Sequence, residues 1–194
     1  MSYCTVQHLK NTLDIVIADG DTVTAPLLER IIEASSEWID NFCGWGNSAF
    51  KASTQERNYN SDFVRKDKLF LDIPIVELEE LRNGDKSSIS LSDVQLLPLN
   101  ASRYFQIRLL SGVWSFPQTD SSIKVTGKFG YSLVPPDTIR EATIMLSGWI
   151  YKRYLAGLQT NTVSPELGTV LYGSSMPSQV KDILRYYVNG KKFL

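Results

Sequence analysis

Val125-Thr126-Gly127-Lys128-Phe129-Gly130-Tyr131-Ser132-Leu133-Val134-Pro135-Pro136-Asp137 is the stretch that decides the fold. Ile123, Val125, Gly127 and Phe129 alternate with Lys124, Thr126 and Lys128, the period-two pattern of a half-buried strand. Glycines and then two prolines end that pattern. After Asp137 the period becomes helical: Ile139, Ala142, Leu146, Trp149 and Arg153 form one stripe, with Thr143, Ile150 and Tyr154 beside it. Gly127, Gly130, Pro135 and Pro136 are therefore expected to act as a hinge between a β-rich and a helical segment. Gly127-x-x-Gly130 is read as a tight strand exit. A phosphate-cradling loop would need a third glycine, and the prolines delay the helix that would present its N-terminus.

Upstream, from about Thr54 to Phe129, the period is two. Leu69, Leu71 and Ile73 alternate with Phe70 and Asp72, and Phe105, Ile107 and Leu109 with Gln106 and Arg108. Asn83-Gly84-Asp85 predicts a hairpin with a type I′ turn. Glu79-Glu80 interrupts the alternation of the strand leading into it and marks a bulge.

The N-terminal third is helical. Val6, Leu9, Leu13 and Val16 recur at helical spacing behind an N-cap at Thr5. After Asp19-Gly20-Asp21, a second helix follows Thr24 with Pro26 in its first turn. Its expected stripe is Leu28, Ile31, Ser35, Trp38 and Phe42, and Gly44 ends it. Downstream of the central helix, Gln159 to Ser175 reads as irregular. A last helix begins near Pro177-Ser178, with Val180, Ile183, Leu184, Tyr187 and Val188 on one face. Asn189-Gly190 stops it before a short basic and apolar tail.

The expected fold class is α+β: a small helical bundle formed by the N- and C-terminal helices, with an inserted antiparallel β-rich subdomain. The boundaries read as residues 1–50 and 132–194 for one discontinuous helical domain and 51–131 for the insertion.

With 194 residues the chain can bury a sizeable core. Its net charge of −1 provides no overall basic field for nucleic acid or anionic membrane. No apolar run approaches the roughly 18 residues that span a bilayer, and the first residues lack the pattern of a signal peptide. Cys4 and Cys43 are too few for a disulfide framework or zinc site and read as reduced thiols in a cytoplasmic fold. His8 is the only histidine and lies off the apolar stripe of its helix, so it reads as solvent-facing or capping.

Other candidate sites are weak. Glu77, Glu79 and Glu80 read as a solvated face rather than paired catalytic carboxylates. Tyr104, Trp114 and Phe116 read as packing residues, the alternative being a stacking platform for a sugar or base. Tyr186, Tyr187, Lys191, Lys192, Phe193 and Leu194 form the one aromatic and basic cluster. Helix packing accounts for Tyr187 but not for Tyr186 or the apolar tail, and aromatic anchors are enriched at interfaces. No catalytic, cofactor-binding or metal-binding residue is assigned.

Four features in order resemble the head–tail connector (adaptor) proteins of long-tailed phages and gene transfer agents, the gp6-like family. They are Thr5-x-x-x-Leu9-Lys10-x-x-Leu13 with the Leu27-Leu28…Ile31-Ile32-Glu33-Ala34-Ser35 helix ending at Cys43-Gly44; Leu69-Phe70-Leu71-Asp72-Ile73-Pro74-Ile75-Val76; Gly127-Lys128-Phe129-Gly130-Tyr131…Val134-Pro135 feeding a helix with Ala142 and Tyr151-Lys152-Arg153; and Met176-Pro177…Val180…Ile183-Leu184…Tyr186-Tyr187. The resemblance implies a non-enzymatic virion protein of the neck, assembled in the host cytoplasm. It would form a homo-oligomeric, dodecameric ring beneath the portal. It would link portal to the stopper or tail-completion protein, with DNA passing through the lumen without sequence-specific contacts and no membrane or cofactor involved. It also implies that the C-terminal cluster docks on the portal. The rival reading is a virion-associated binding module whose β insertion recognises a glycan or host receptor.

Overall fold

The computed structural model describes residues 2–13, 22–46, 50–155, 161–164, 168–171 and 176–188. The fold is α+β, with four helices, a six-stranded antiparallel sheet and a two-stranded ribbon among the described residues. The elements run α1 (Val6–Leu13), α2 (Thr24–Cys43), β1 (Ser53–Tyr59), β2 (Val64–Arg65), β3 (Lys68–Arg82), β4 (Val94–Leu97), β5 (Tyr104–Leu109), β6 (Ile123–Phe129), α3 (Asp137–Leu155), β7 (Asn161–Ser164), β8 (Gly168–Leu171) and α4 (Ser178–Arg185). They fall into two compact units, one of Met1–Ser48 with Pro136–Leu194, the other of Ala49–Pro135.

In the helical unit, α3 packs against α1, α2 and α4. Ile139, Ala142, Thr143, Ile144, Leu146, Ser147 and Gly148 are all buried, because a helix with neighbours on several sides needs more than one apolar stripe. Gly148 lets α1 come close: a Cβ there would lie 3.2 Å from Leu13. Cys4, Leu9, Leu28, Ile32 and Ile144 form a buried cluster. Thr5 caps α1 as expected, through a reciprocal pair in which His8 N–H donates to Thr5 Oγ1 and Thr5 N–H donates to His8 Nδ1, both at 3.2 Å. His8 is exposed, so it both faces solvent and caps. Gly44 ends α2 in the left-handed conformation at φ 71°.

The buried face of α2 is rotated from the expected stripe. It runs through Leu28, Ile32, Ser36, Ile39 and Cys43 as well as Ile31 and Ser35. Trp38 instead lies 38% exposed and stacks on Phe42 at 5.0 Å, the two rings covering each other outside the core. Tyr3 explains the rotation. Its backbone N–H donates to Ser36 Oγ and its hydroxyl to Asp40 Oδ1, so a polar track of the helix is satisfied in the interior.

In the β unit the sheet order is β1-β6-β3-β5-β4, with β2 on β3, and every pairing is antiparallel. Ile123, Val125, Gly127 and Phe129 are all buried along β6, as their alternation requires. The strand β3 is one element of fifteen residues. It pairs with β5 up to Ile75 and with β6 from Ile75 onward. The alternation changes phase there: Leu69 and Leu71 are buried, Ile73 only half-buried, and Pro74 and Ile75 both buried. Pro74 has no N–H to contribute at this handover, and its carbonyl accepts the Gly130 N–H at 2.9 Å. Register shifts fall between Ile75 and Glu77 and between Leu78 and Glu80, so the bulge at the glutamates is present.

The Asn83 turn differs from expectation. The Lys86 N–H donates to Asn83 O and the Asn83 N–H to Ser87 O, and Lys86, not Gly84, adopts positive φ at 69°. This is a three-residue loop with a left-handed residue at its end, not a two-residue type I′ turn. Gly84 is needed for space: a Cβ there would lie 2.2 Å from Ser115 O. The Asn83 side chain ties the loops together, accepting from the Gly84 and Ser115 N–H groups and donating to Val113 O. Gly127 has the same role within β6, where a Cβ would meet Glu77 O at 2.3 Å. Gly127→Ala and Gly84→Ala should each lower stability by about 1–3 kcal/mol, since the obstructing atoms are backbone. Urea unfolding monitored by tryptophan fluorescence tests this, and unchanged midpoints would contradict the packing described.

Residues expected to be irregular between Gln159 and Ser175 contain the β7–β8 ribbon. Asn161-Thr162-Val163 and Thr169-Val170-Leu171 are short β-branched tracts around Pro165 and Gly168, a hairpin pattern masked by the hydroxyl-rich composition. The expected positions of Val16, the Asp19-Gly20-Asp21 turn and the Asn189-Gly190 stop lie outside the described residues. The strand β4 carries no alternation and escapes a periodicity reading.

Candidate interaction surface

The end of the last helix holds one tyrosine and presents the one before it. Val180 and Leu184, one turn apart, are fully buried, and the Cys43 thiol lies 4.0 Å from Leu184 O. Tyr187 continues that face three residues on. Its carbonyl accepts the Trp45 indole N–H at 2.5 Å, and its hydroxyl is hydrogen-bonded to the hydroxyl of Thr138. Tyr186, one residue earlier, is rotated by about 100° on a helical path and is 90% exposed. Val188 is half exposed beyond it. An Asp182–Arg185 ion pair at 3.1 Å sits on the same exposed flank. Six residues were assigned to this cluster from sequence. The structure separates Tyr187, which anchors, from Tyr186, which projects; Lys191, Lys192, Phe193 and Leu194 lie outside the described residues.

Trp45 and Thr138 are the participants that sequence reasoning missed. A signal existed for Trp45, because a large aromatic just after the helix stop at Gly44 needs a buried seat. The helix α4 is thus packed against α2 and α3 of its own unit. The assigned hinge residues are also placed. Gly127 lies within β6, Gly130 just after it at φ 148°, and the boundary between the two units falls between Pro135 and Pro136.

Tyr104, Trp114 and Phe116 are half-buried and packed against the core cluster of the β unit, as expected. The three glutamates do not converge. Glu77 pairs with Lys128 at 2.6 Å, Glu80 with Arg82 at 2.6 Å, and Glu79 accepts from the Thr54 hydroxyl. Asp72 is bridged by Arg57 and by the buried Tyr59 hydroxyl, whose pKa is pushed far up by burial and by Asp72 itself. Among the described residues no three His, Cys, Asp or Glu side chains come together as a metal site. No helix there is long and apolar enough to cross a membrane.

Both thiols are inert by environment. Burial, and secondarily Glu141, pushes Cys4 to about 11; burial, and secondarily Asp40, pushes Cys43 to about 12.

No protein-family model matches the sequence, and no curated protein matches it. Solved structures do match, end to end. A chain from the neck of an empty gene transfer agent particle, computed with C6 symmetry, aligns at TM-score 0.66 and 13% identity. The alignment covers 96% of this chain and 90% of that one. In fold, the chain is similar to a gene transfer agent neck protein. A chain from the neck of the native particle, computed with C12 symmetry, aligns at TM-score 0.56 and 14% identity, covering 97% and 90%. One from the virion of the native particle aligns at 0.58 and 13%, covering 96% and 90%.

Two outcomes follow from the geometry of the helical unit. Trp45→Phe removes the bond to Tyr187 O and should cost about 1 kcal/mol. It should also speed proteolytic cleavage within 186–188; identical cleavage rates would contradict the anchoring role. The raised thiol pKa values contribute stability that is complete below the unfolded value of 9.0 and is lost as pH rises through about 11 and about 12. Native chain should therefore resist alkylation at pH 8 and lose stability progressively above pH 9. Labelling as fast as in urea would contradict the burial of both cysteines.

Proposed function

We propose that the chain is a structural subunit of a virion neck, a head–tail adaptor without catalytic activity. It assembles as a closed ring of twelve copies, the symmetry under which one neck neighbour was computed, and joins the portal to the stopper or tail-completion protein. DNA passes through the lumen without sequence-specific contacts. The observation that carries this reading is the end-to-end fold match to a neck chain, covering 96% of this chain and 90% of that one. The near-neutral charge agrees with it, since a channel lining should not retain DNA.

Tyr186 is the proposed portal anchor, with the half-exposed Val188 beside it. Pro135-Pro136 is the proposed hinge, because it coincides with the boundary between the two units. Tyrosine and arginine are enriched at interface hot spots, and Tyr186 and Arg185 are adjacent and exposed.

Tagged full-length chain captured from a particle-producing lysate should bring down the portal as its main partner, in ring-shaped complexes. Tyr186→Asp should reduce portal recovery at least roughly tenfold with an unchanged unfolding transition. Recovery of wild-type chain without portal would overturn the reading.

A further inference from the structure

Two backbone features of the described residues lack partners. The first is the β7–β8 ribbon, Asn161–Ser164 against Gly168–Leu171, which pairs with no other strand. A two-stranded ribbon this short is marginal in water and needs a third strand or a packed face to persist. The second is the outer edge of β1. Ser53–Tyr59 runs in unbroken register against β6 over seven residues and ends its sheet. Among the described residues no backbone hydrogen bond leaves it on the other side.

Open edges are normally blunted by shortness, proline, unpaired charged side chains or a bulge. The opposite edge of the sheet follows that rule, since β4 has only four residues and runs into Pro98. The edge strand β1 is long and unbulged, and its two charged side chains are already paired within the sheet, Glu56 with Lys124 at 2.8 Å and Arg57 with Asp72. Its sequence, Ser-Thr-Gln-Glu-Arg-Asn-Tyr, contains no proline or lysine, and its pairing is unbulged. It is polar enough to stay soluble when unpaired and regular enough to template another strand.

We propose that the β7–β8 ribbon of one copy adds to the β1 edge of a neighbouring copy. Main-chain hydrogen bonds supply the affinity in such strand addition, and the β-branched residues Thr162, Val163, Thr169 and Val170 favour the extended conformation it needs. A second copy is the occupant that meets both deficits at once, and in the single chain the two elements belong to separate sheets. Donor and acceptor lie in different parts of the chain, so the contact is heterologous and repeats from copy to copy until a ring closes. This inference rests on the neck-ring reading and specifies how neighbouring copies are joined.

Amide hydrogen exchange of the full chain, compared between the isolated protein and the complexes extracted from particles, tests it. Residues 53–59 and 161–171 should both slow at least tenfold on assembly, while the β4 edge is unchanged. Slowing of one segment without the other, or of neither, overturns the proposal. Replacing residues 161–171 by a glycine–serine linker of equal length should cut incorporation into particles at least tenfold. The thermal transition of the isolated variant should persist. Wild-type incorporation of that variant also overturns the proposal while leaving the neck reading standing. Absence of the wild-type chain from particles would instead overturn the neck reading itself.

Discussion

The pairing of β6 with the bulged strand β3 is the constraint on which the β unit depends. The strand β3 serves β5 along its first half and β6 along its second, so its backbone must change course near Pro74 and Ile75. The bulges that accomplish this bring Glu77 O within reach of β6 at a point where only a glycine leaves room. Gly127, Pro74 and the Glu77–Glu80 bulges are thus one device, and β1 keeps its straight register because β6 is held in place behind it. A long, unbulged edge strand is uncommon, because it leaves a row of backbone groups open to pairing.

The helical unit is organised around α3, whose buried positions reach nearly around the helix because α1, α2 and α4 all pack on it. The last helix is then fixed at both ends of its buried face, by Val180 and Leu184 in the core and by the Trp45 and Thr138 contacts to Tyr187. That fixation gives the adjacent Tyr186 a defined, exposed position. An exposed aromatic on an anchored helix loses little further freedom on binding, and reduced ordering cost is a direct route to affinity.

Much of this was legible in the sequence, and the failures have identifiable physical causes. The α+β class, the buried face of β6, the Thr5 cap, the Gly44 stop and the start of α4 near Pro177-Ser178 follow from periodicity and turn chemistry. The rotation of α2 did not, because Ser36 and Asp40 look solvent-facing until Tyr3 supplies their partner. The Asn83-Gly84 turn was misassigned because a glycine can be required by space as well as by positive φ. The ribbon within 159–175 was hidden by its hydroxyl content. The separate roles of Tyr186 and Tyr187 were partly visible, since only Tyr187 continues the apolar face, but Trp45 and Thr138 are distant in sequence and only the fold brings them to it.

The central claim is that the chain resides at the head–tail junction of a particle. The most direct test is electron microscopy of purified particles carrying a gold-labelled tag on the full-length chain. The account predicts one label cluster per particle, at the junction of head and tail. Label on the capsid shell, along the tail or at its distal tip, or particles with no label, would contradict it.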